Sequence, residues 1–270
     1  MVEYPVSIRE QLVRDLEVAE WCRQRGLRVP VVLASEPESG RAVIEDLGDA
    51  DAEATLRCSP ESDRSALFER MLQPLVVLAG CDPIELPQWN PPLDEARLRW
   101  ELAGFELWYV RHFRSRTPTS ALDRWLDGLA LEVAGHPTRV CHRDYHLNNL
   151  ILTDGGGVAI IDAQDILIGP DTYDAVSLLG ERAAIELITN SERRRLLARW
   201  AELTRAEPGW RERADAVRLQ RTLKVLGTFA RFVVAGRGQY GPWLAGLADT
   251  LTEQLAAIDA PADVTAFLID

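Results

Sequence analysis

The sequence predicts an α+β fold with segregated elements, a small partly β beginning followed by a mainly helical remainder. Three observations point there. Apolar runs of strand length cluster at residues 29–49 and 138–162, long helical periodicities fill most of the rest, and no β-α-β alternation occurs. Bulk properties fit a globule. Across 270 residues, hydrophobics are 47% and charged residues 27%, which excludes a disordered or fibrous chain. The net charge of −12 leaves no basic footprint for nucleic acid or anionic membrane. No apolar run reaches the roughly 18 residues of a membrane span, and the start lacks the basic and apolar regions of a secretion signal, so a cytoplasmic protein is expected. Four separated cysteines, Cys22, Cys58, Cys81 and Cys141, form no CxxC pair and suggest neither a metal site nor disulfides.

Taken in order, residues 7–26 read as a helix. Ser7 and Glu10 have capping-box spacing, Leu12, Leu16, Ala19 and Cys22 recur at helical intervals, and Gly26 ends it. The runs at 29–35 and 41–49 flank the turn-forming EPESG and predict a hairpin. Residues 65–80 form a helix disturbed at Pro74, and the proline-rich 81–92 is a loop. A long amphipathic helix is expected over 93–115, with Leu98, Leu102, Phe105 and Trp108–Tyr109 on one face. Trp100, Trp108 and Tyr109 read as core. Ser120 and Asp123 have cap spacing for a helix over 120–134. TRVCH at 138–142 is a short strand. NLILT and VAIIDAQD flank DGGG, the clearest hairpin signal in the chain. After Gly169-Pro170 the chain reads as helical to about 260. The only lysine, Lys224, is expected on a helix surface, and the charged run at 191–207 on a solvated face.

The chemistry concentrates in residues 140–174. Asn149 begins the first strand of the second hairpin and Asp162 ends its partner, so both lie at one end of the ladder. Asp144 enters from the adjoining loop. Two carboxylates and an amide oxygen gathered there suit a hard cation such as Mg²⁺ with positions open for phosphate. A carboxylate beside such a cation can take the proton of a substrate hydroxyl. Gly155 to Gly157 read as a hairpin turn rather than a phosphate loop, because no helix N-terminus follows them.

His142-Arg143-Asp144 with Asn149 five residues on matches the kinase catalytic loop at full spacing, and Asp162 stands where a second metal-binding aspartate belongs. Ala163-Gln164 replaces Phe-Gly, and His146 follows the base by two. In these respects the chain resembles the aminoglycoside phosphotransferase branch of the protein-kinase-like superfamily. HRDYHLNNL, IDAQDILIGPDTYDAVSLL, RLQRTLKVLGTFARF, ELAGFELWYVRHF and VIEDLGD look most like the cell-wall sugar kinases, which phosphorylate N-acetylmuramate or N-acetylglucosamine in peptidoglycan recycling.

The resemblance implies a protein-kinase-like fold, with residues 1–50 as a remnant N-lobe and 51–270 as a helical C-lobe. It implies ATP and Mg²⁺ as cofactors and a small sugar as substrate. Asp144 would be the general base, with Asn149 and Asp162 holding the metal. Glu45, Asp46, Leu47 and Gly48 would form the adenine-binding hinge. Asp174, His142 and His146 would brace the loop, and Arg143, Gln164 and Asp165 would face the acceptor. An aminoglycoside or other small-alcohol kinase is the alternative within the class.

The family's first N-lobe strands, with their glycine-rich turn and lysine, have no counterpart before the first helix. VEYP resembles the segment just after the lysine strand, and Glu10 or Glu17 would be the lysine's partner. Three readings fit: a start codon lying upstream, a pseudokinase binding module, or strands supplied by another chain. The first is preferred, because an intact Asp144/Asn149/Asp162 set would otherwise have no use.

Overall fold

A computed structural model describes residues 1–5 and 9–269. The element order is β1 (Val2–Glu3), α1 (Arg9–Gln24), β2 (Val32–Glu36), β3 (Arg41–Ile44), α2 (Ala52–Cys58), α3 (Glu61–Met71) and α4 (Gln73–Ala79). Then come α5 (Glu95–Gly104), a π-helical segment Phe105–Phe113, α6 (Ser120–Ala134), β4 (Thr138–Cys141), β5 (Leu150–Leu152), β6 (Val158–Ile160) and β7 (Leu167–Pro170). The rest is helical: α7 (Tyr173–Gly180), α8 (Arg182–Leu187), α9 (Asn190–Thr204), α10 (Trp210–Val234), α11 (Gly241–Ala248), α12 (Leu251–Ala257) and α13 (Ala262–Ile269). The segregated α+β plan read from the sequence is the one observed.

The described residues divide into two compact units. One comprises Met1–Pro91, Arg139–Ile168 and Ser177–Ala206, the other Pro92–Thr138, Gly169–Val176 and Glu207–Asp270. In the first, β2 and β3 form the expected antiparallel hairpin, and β1 adds on the far edge of β3 with Val2 opposite Ala42. VEYP therefore contributes an edge strand, which its two-residue length had hidden. The Ser7 cap lies outside the described residues. At Pro74 the expected helix divides into α3 and α4; Pro74 sits in the first turn of α4, where its missing N–H costs nothing. β5 and β6 pair with Leu150 opposite Ile160 and Leu152 opposite Val158. β4 pairs with β7. β7 was not foreseen, because Gly169-Pro170 reads as a terminator although proline is tolerated at a strand end.

The second unit is built around α10, whose buried Leu219, Leu223, Leu226 and Ala230 form one stripe. Leu98, Leu102, Phe105 and Tyr109 are buried as the periodicity required, but the helix widens to a π form from Phe105. Phe105, Tyr109 and Phe113 stack in sequence, with centroids 5.3 and 5.9 Å apart. Trp100 corrects the core reading. It is 73% exposed, because two positions from both Leu98 and Leu102 is nearly the opposite side of a helix. The α6 cap is Thr119 rather than Ser120, its hydroxyl accepting from the Leu122 N–H at 3.1 Å. Lys224 is not a free surface group. Its Nζ lies 3.1 Å from Oε1 of the buried Glu101, whose other oxygen accepts from Gln220.

Gly227 on α10 marks the closest approach in this unit. A Cβ there would fall 2.7 Å from the Phe105 nitrogen and 2.8 Å from its Cα. Gly227→Ala gains about 1 kcal/mol of helix propensity, but overpacking against backbone costs about 1–3 kcal/mol. A lowered denaturation midpoint is therefore expected. Gly246→Ala, where nothing lies within 4 Å of the new methyl, is expected to be neutral or stabilising. Equal midpoints for the two variants would refute the close-packing argument.

Candidate active site

The loop between β4 and β5 carries His142, Arg143, Asp144, His146 and Asn149, all within the first unit. His142 leaves β4 fully buried, and its Nε2 donates to the Ile161 carbonyl at 3.2 Å. Tyr145, also fully buried, stands edge-on to His142 and donates its hydroxyl to the Met71 carbonyl at 2.7 Å. The loop is thus fixed to β6 on one side and to the end of α3 on the other. Arg143 has a left-handed backbone (φ 76°), and between these two anchors the chain makes the turn that carries Asp144.

The ladder of β5 and β6 continues one rung past the strands: the Ile161 N–H donates to the Asn149 carbonyl at 2.9 Å. That rung sets Asn149 beside the residue preceding Asp162, as the hairpin reading required. Asn149 is buried, and its Nδ2 donates to the Asp144 backbone carbonyl at 2.9 Å. Its amide nitrogen therefore ties the two loop positions together, and Oδ1 is the side-chain atom suited to a cation. His146 Nε2 lies 3.4 Å from the same Nδ2. Asp162 is exposed and left-handed (φ 56°, ψ 39°), and it opens the short turn Ala163–Asp165. Among the described residues, no group of three or more His, Cys, Asp or Glu side chains is placed to hold a metal. A donor set of carboxylate and amide oxygens, to be completed by phosphate and water, fits Mg²⁺ rather than a metal needing a full protein cage.

Among the acceptor-side expectations, Arg143 and Asp165 face each other, Nη1 to Oδ2 at 3.3 Å. Gln164 is half-buried, and its backbone carbonyl accepts from Asn90. Asp174 is buried in the first turn of α7, in the second unit. In the 45–48 segment, Glu45 N–H donates to the Val31 carbonyl at 2.8 Å, and its carboxylate accepts from the Val31 N–H and from Arg28. Asp46 Oδ1 accepts from the Gly48 N–H at 2.9 Å, closing a turn that Gly48 enters at φ +89°. With the Glu45 amide committed, Asp46 and Leu47 are the residues whose backbone could meet an adenine.

Several contributors had no visible signal. Arg28 bonds Glu45, and its own carbonyl accepts from Ile160, linking the 45–48 segment to the hairpin. Asn148 donates to Asp51 and Glu53 at the start of α2. Arg70 donates to the carbonyls of Thr153, Gly156 and Gly157, fixing the glycine turn. On α1, Asp15 accepts the Tyr4 hydroxyl at 2.6 Å. Burial first, and the Asp165 charge weakly, raise the Asp15 carboxyl above its usual range. Burial, Asp15 and the Asp162 charge together raise the Tyr4 phenol. Tyr4 and Asp15 therefore share the electrostatic field of Asp162 and Asp165. Glu17, a candidate lysine partner, instead accepts from the Trp89 indole at 2.9 Å.

Burial lowers the His142 imidazole to about 4. Its unfolded value is near 6.5, so between those limits the unfolded chain binds the extra proton. The stability from neutral His142 is complete above about 6.5 and is lost as pH falls toward about 4. Denaturant titrations at pH 7 and 5 should show this loss, and His142→Asn should flatten it. His136, also lowered to about 4 by burial, would contribute the remaining slope. An unaltered slope in the variant would remove His142 as the source.

The model of the phosphotransferase enzyme family matches residues 5–216. An N-acetylmuramate/N-acetylglucosamine kinase of Pseudomonas aeruginosa is 32% identical over 227 residues, 80% of this chain and 65% of that protein. Its namesake from Neisseria meningitidis is 31% identical over 80% of this chain and 67% of its own. The match thus spans about two thirds of the length of these curated relatives. Among solved structures, a choline kinase from Streptococcus pneumoniae superposes with TM-score 0.62 at 14% identity, over 94% of this chain and 84% of that one. An aminoglycoside phosphotransferase from Streptomyces rimosus, in complex with ADP and streptomycin, gives 0.58 at 18% identity over 82% and 85%. These likenesses identify the fold as the protein-kinase-like fold expected. With the family model matched over most of its length, the chain belongs to the phosphotransferase enzyme family.

Proposed function

We propose that this chain transfers the γ-phosphate of ATP, with Mg²⁺, to a hydroxyl of a small amino sugar of the N-acetylmuramate/N-acetylglucosamine class. The observation that carries the reading is the joining of Asp144 and Asn149 by one side-chain hydrogen bond, at the end of a ladder that leads directly into Asp162. The names of the curated relatives support the acceptor, and the neighbours solved with ADP or AMP support the nucleotide. A cytoplasmic place in cell-wall recycling, and the lobe division near residue 50, belong to the same reading.

In this reading Asp144 orients the sugar hydroxyl and takes its proton as the oxygen bonds to the γ-phosphorus and the bond to ADP breaks. Asn149 and Asp162 would hold Mg²⁺, which supplies neutralisation of the phosphate charge. His142 stays neutral at pH 7 and holds the Ile161 carbonyl, keeping the strand that precedes Asp162 in place. Backbone groups of Asp46 and Leu47 would receive the adenine. Arg143, Gln164 and Asp165 are the acceptor-side candidates; the Arg143–Asp165 pair would have to open, or bind as a unit, to serve a sugar.

The test is phosphate transfer from labelled ATP to a panel of N-acetyl sugars and aminoglycosides. Transfer to the N-acetyl sugars is expected, and turnover of aminoglycosides alone would overturn the acceptor assignment. Asp144→Asn should lower kcat by about 10²- to 10⁴-fold, the usual contribution of a positioned base, while nucleotide affinity is retained. A variant as fast as wild type would exclude Asp144 as the base.

A further inference from the structure

We infer that Asn90 is a positioning residue for the turn that carries Asp162, acting as a clamp from the proline-rich segment onto the metal side of the site. This rests on the phosphotransfer reading above. The Asn90 Nδ2 donates to two carbonyls of one turn, Gln164 at 2.8 Å and Ile166 at 3.0 Å. A primary amide nitrogen has two hydrogens, so both are committed to this turn.

The turn needs such support. Asp162 adopts a left-handed backbone, which costs a non-glycine residue about 1 kcal/mol or more. The turn that follows, Ala163–Asp165, is closed by a single long bond, Ile166 N–H to the Ala163 carbonyl at 3.2 Å. Asn90 reaches across from 74 residues away in sequence and ties one carbonyl inside that turn, Gln164, and one at its end, Ile166.

The clamp is itself anchored. Pro87 precedes it, and Pro91 and Pro92 follow, which restricts the local backbone. The neighbouring Trp89 donates its indole N–H to Glu17 of α1 and stands edge-on to the buried Trp21 at 6.2 Å. The segment therefore joins α1 to the Asp162 turn. Few side chains could substitute. A carboxylate at position 90 would set oxygen against two carbonyl oxygens, and alanine would leave both carbonyls without this donor.

The test compares wild type with Asn90→Ala and Asn90→Asp. Calorimetry would measure the Mg²⁺ dependence of ADP binding, thermal unfolding without ligand would report the fold, and initial rates would be taken across Mg²⁺ concentrations. If Asn90 positions Asp162, the Mg²⁺ midpoint rises about tenfold in N90A, the scale of one to two net hydrogen bonds. It rises further in N90D, and saturating Mg²⁺ restores most of kcat. A strap serving only the fold would lower the unfolding temperature and leave the Mg²⁺ midpoint unmoved, and that result overturns the inference. Should N90A not fold, Asn90→Ser keeps one donor and must show a smaller Mg²⁺ shift in the same direction. A wild type that binds no Mg²⁺·ADP overturns the phosphotransfer reading instead. Wild type and variants that bind it equally leave that reading standing and defeat the clamp.

Discussion

One rung of a β-ladder, the bond from the Ile161 N–H to the Asn149 carbonyl, is the constraint on which the rest of the site depends. Each strand of this hairpin is only three residues long, and an isolated hairpin of that size is marginal at best in water. Its register is nonetheless firm. Val158, Ala159 and Ile160 are buried in succession on alternate faces, so a one-residue slip would exchange the small Ala159 with its larger neighbours across two packed faces. Register then decides chemistry, because it alone determines that Asn149 arrives beside the residue before Asp162.

Short strands need outside support, and it comes from arginine and buried hydroxyl and imidazole groups. Arg70 saturates three carbonyls of the glycine turn, the Ile160 N–H donates to the Arg28 carbonyl, and His142 holds Ile161. Tyr145 fixes the loop to α3 through one buried bond. An unmade bond at such a position costs the full desolvation of the abandoned group, so each member constrains the others more than its own net strength suggests.

The second hairpin and the spacing of Asp144, Asn149 and Asp162 were legible in the sequence because they are local. Turn chemistry at DGGG and alternation over a few residues fix a hairpin without reference to the rest of the chain. What escaped was non-local. Asn90 lies in a stretch that reads as loop, and nothing near it in sequence announces two carbonyls 74 and 76 residues away. β1 and β7 are strands only because β3 and β4 offer them partners. Glu17, Arg28 and Lys224 illustrate the same limit: a charge pattern tells that an ion will find a partner, not which. Trp100 is different, since the spacing from Leu98 and Leu102 already placed it outward and the preference for burying tryptophan obscured that.

The carboxylates also constrain how an anion could enter. Asp15 and Tyr4 respond to Asp165 and Asp162 respectively, so these acids act within one field. Arg143 is engaged with Asp165, and Arg14 lies 3.6 Å from Asp15. Arg143 and Arg14 are therefore already set against acids. The one lysine pairs with Glu101 in the other unit. A bare polyphosphate approaching Asp162 would meet net like charge, whereas a phosphate carrying its own divalent ion would present that ion to the carboxylate first. In the proposed reaction the electrostatics of this loop thus favour a metal–nucleotide pair over free nucleotide. In that reaction one exposed aspartate and one buried amide would suffice on the protein side, the phosphates bringing the remaining oxygens.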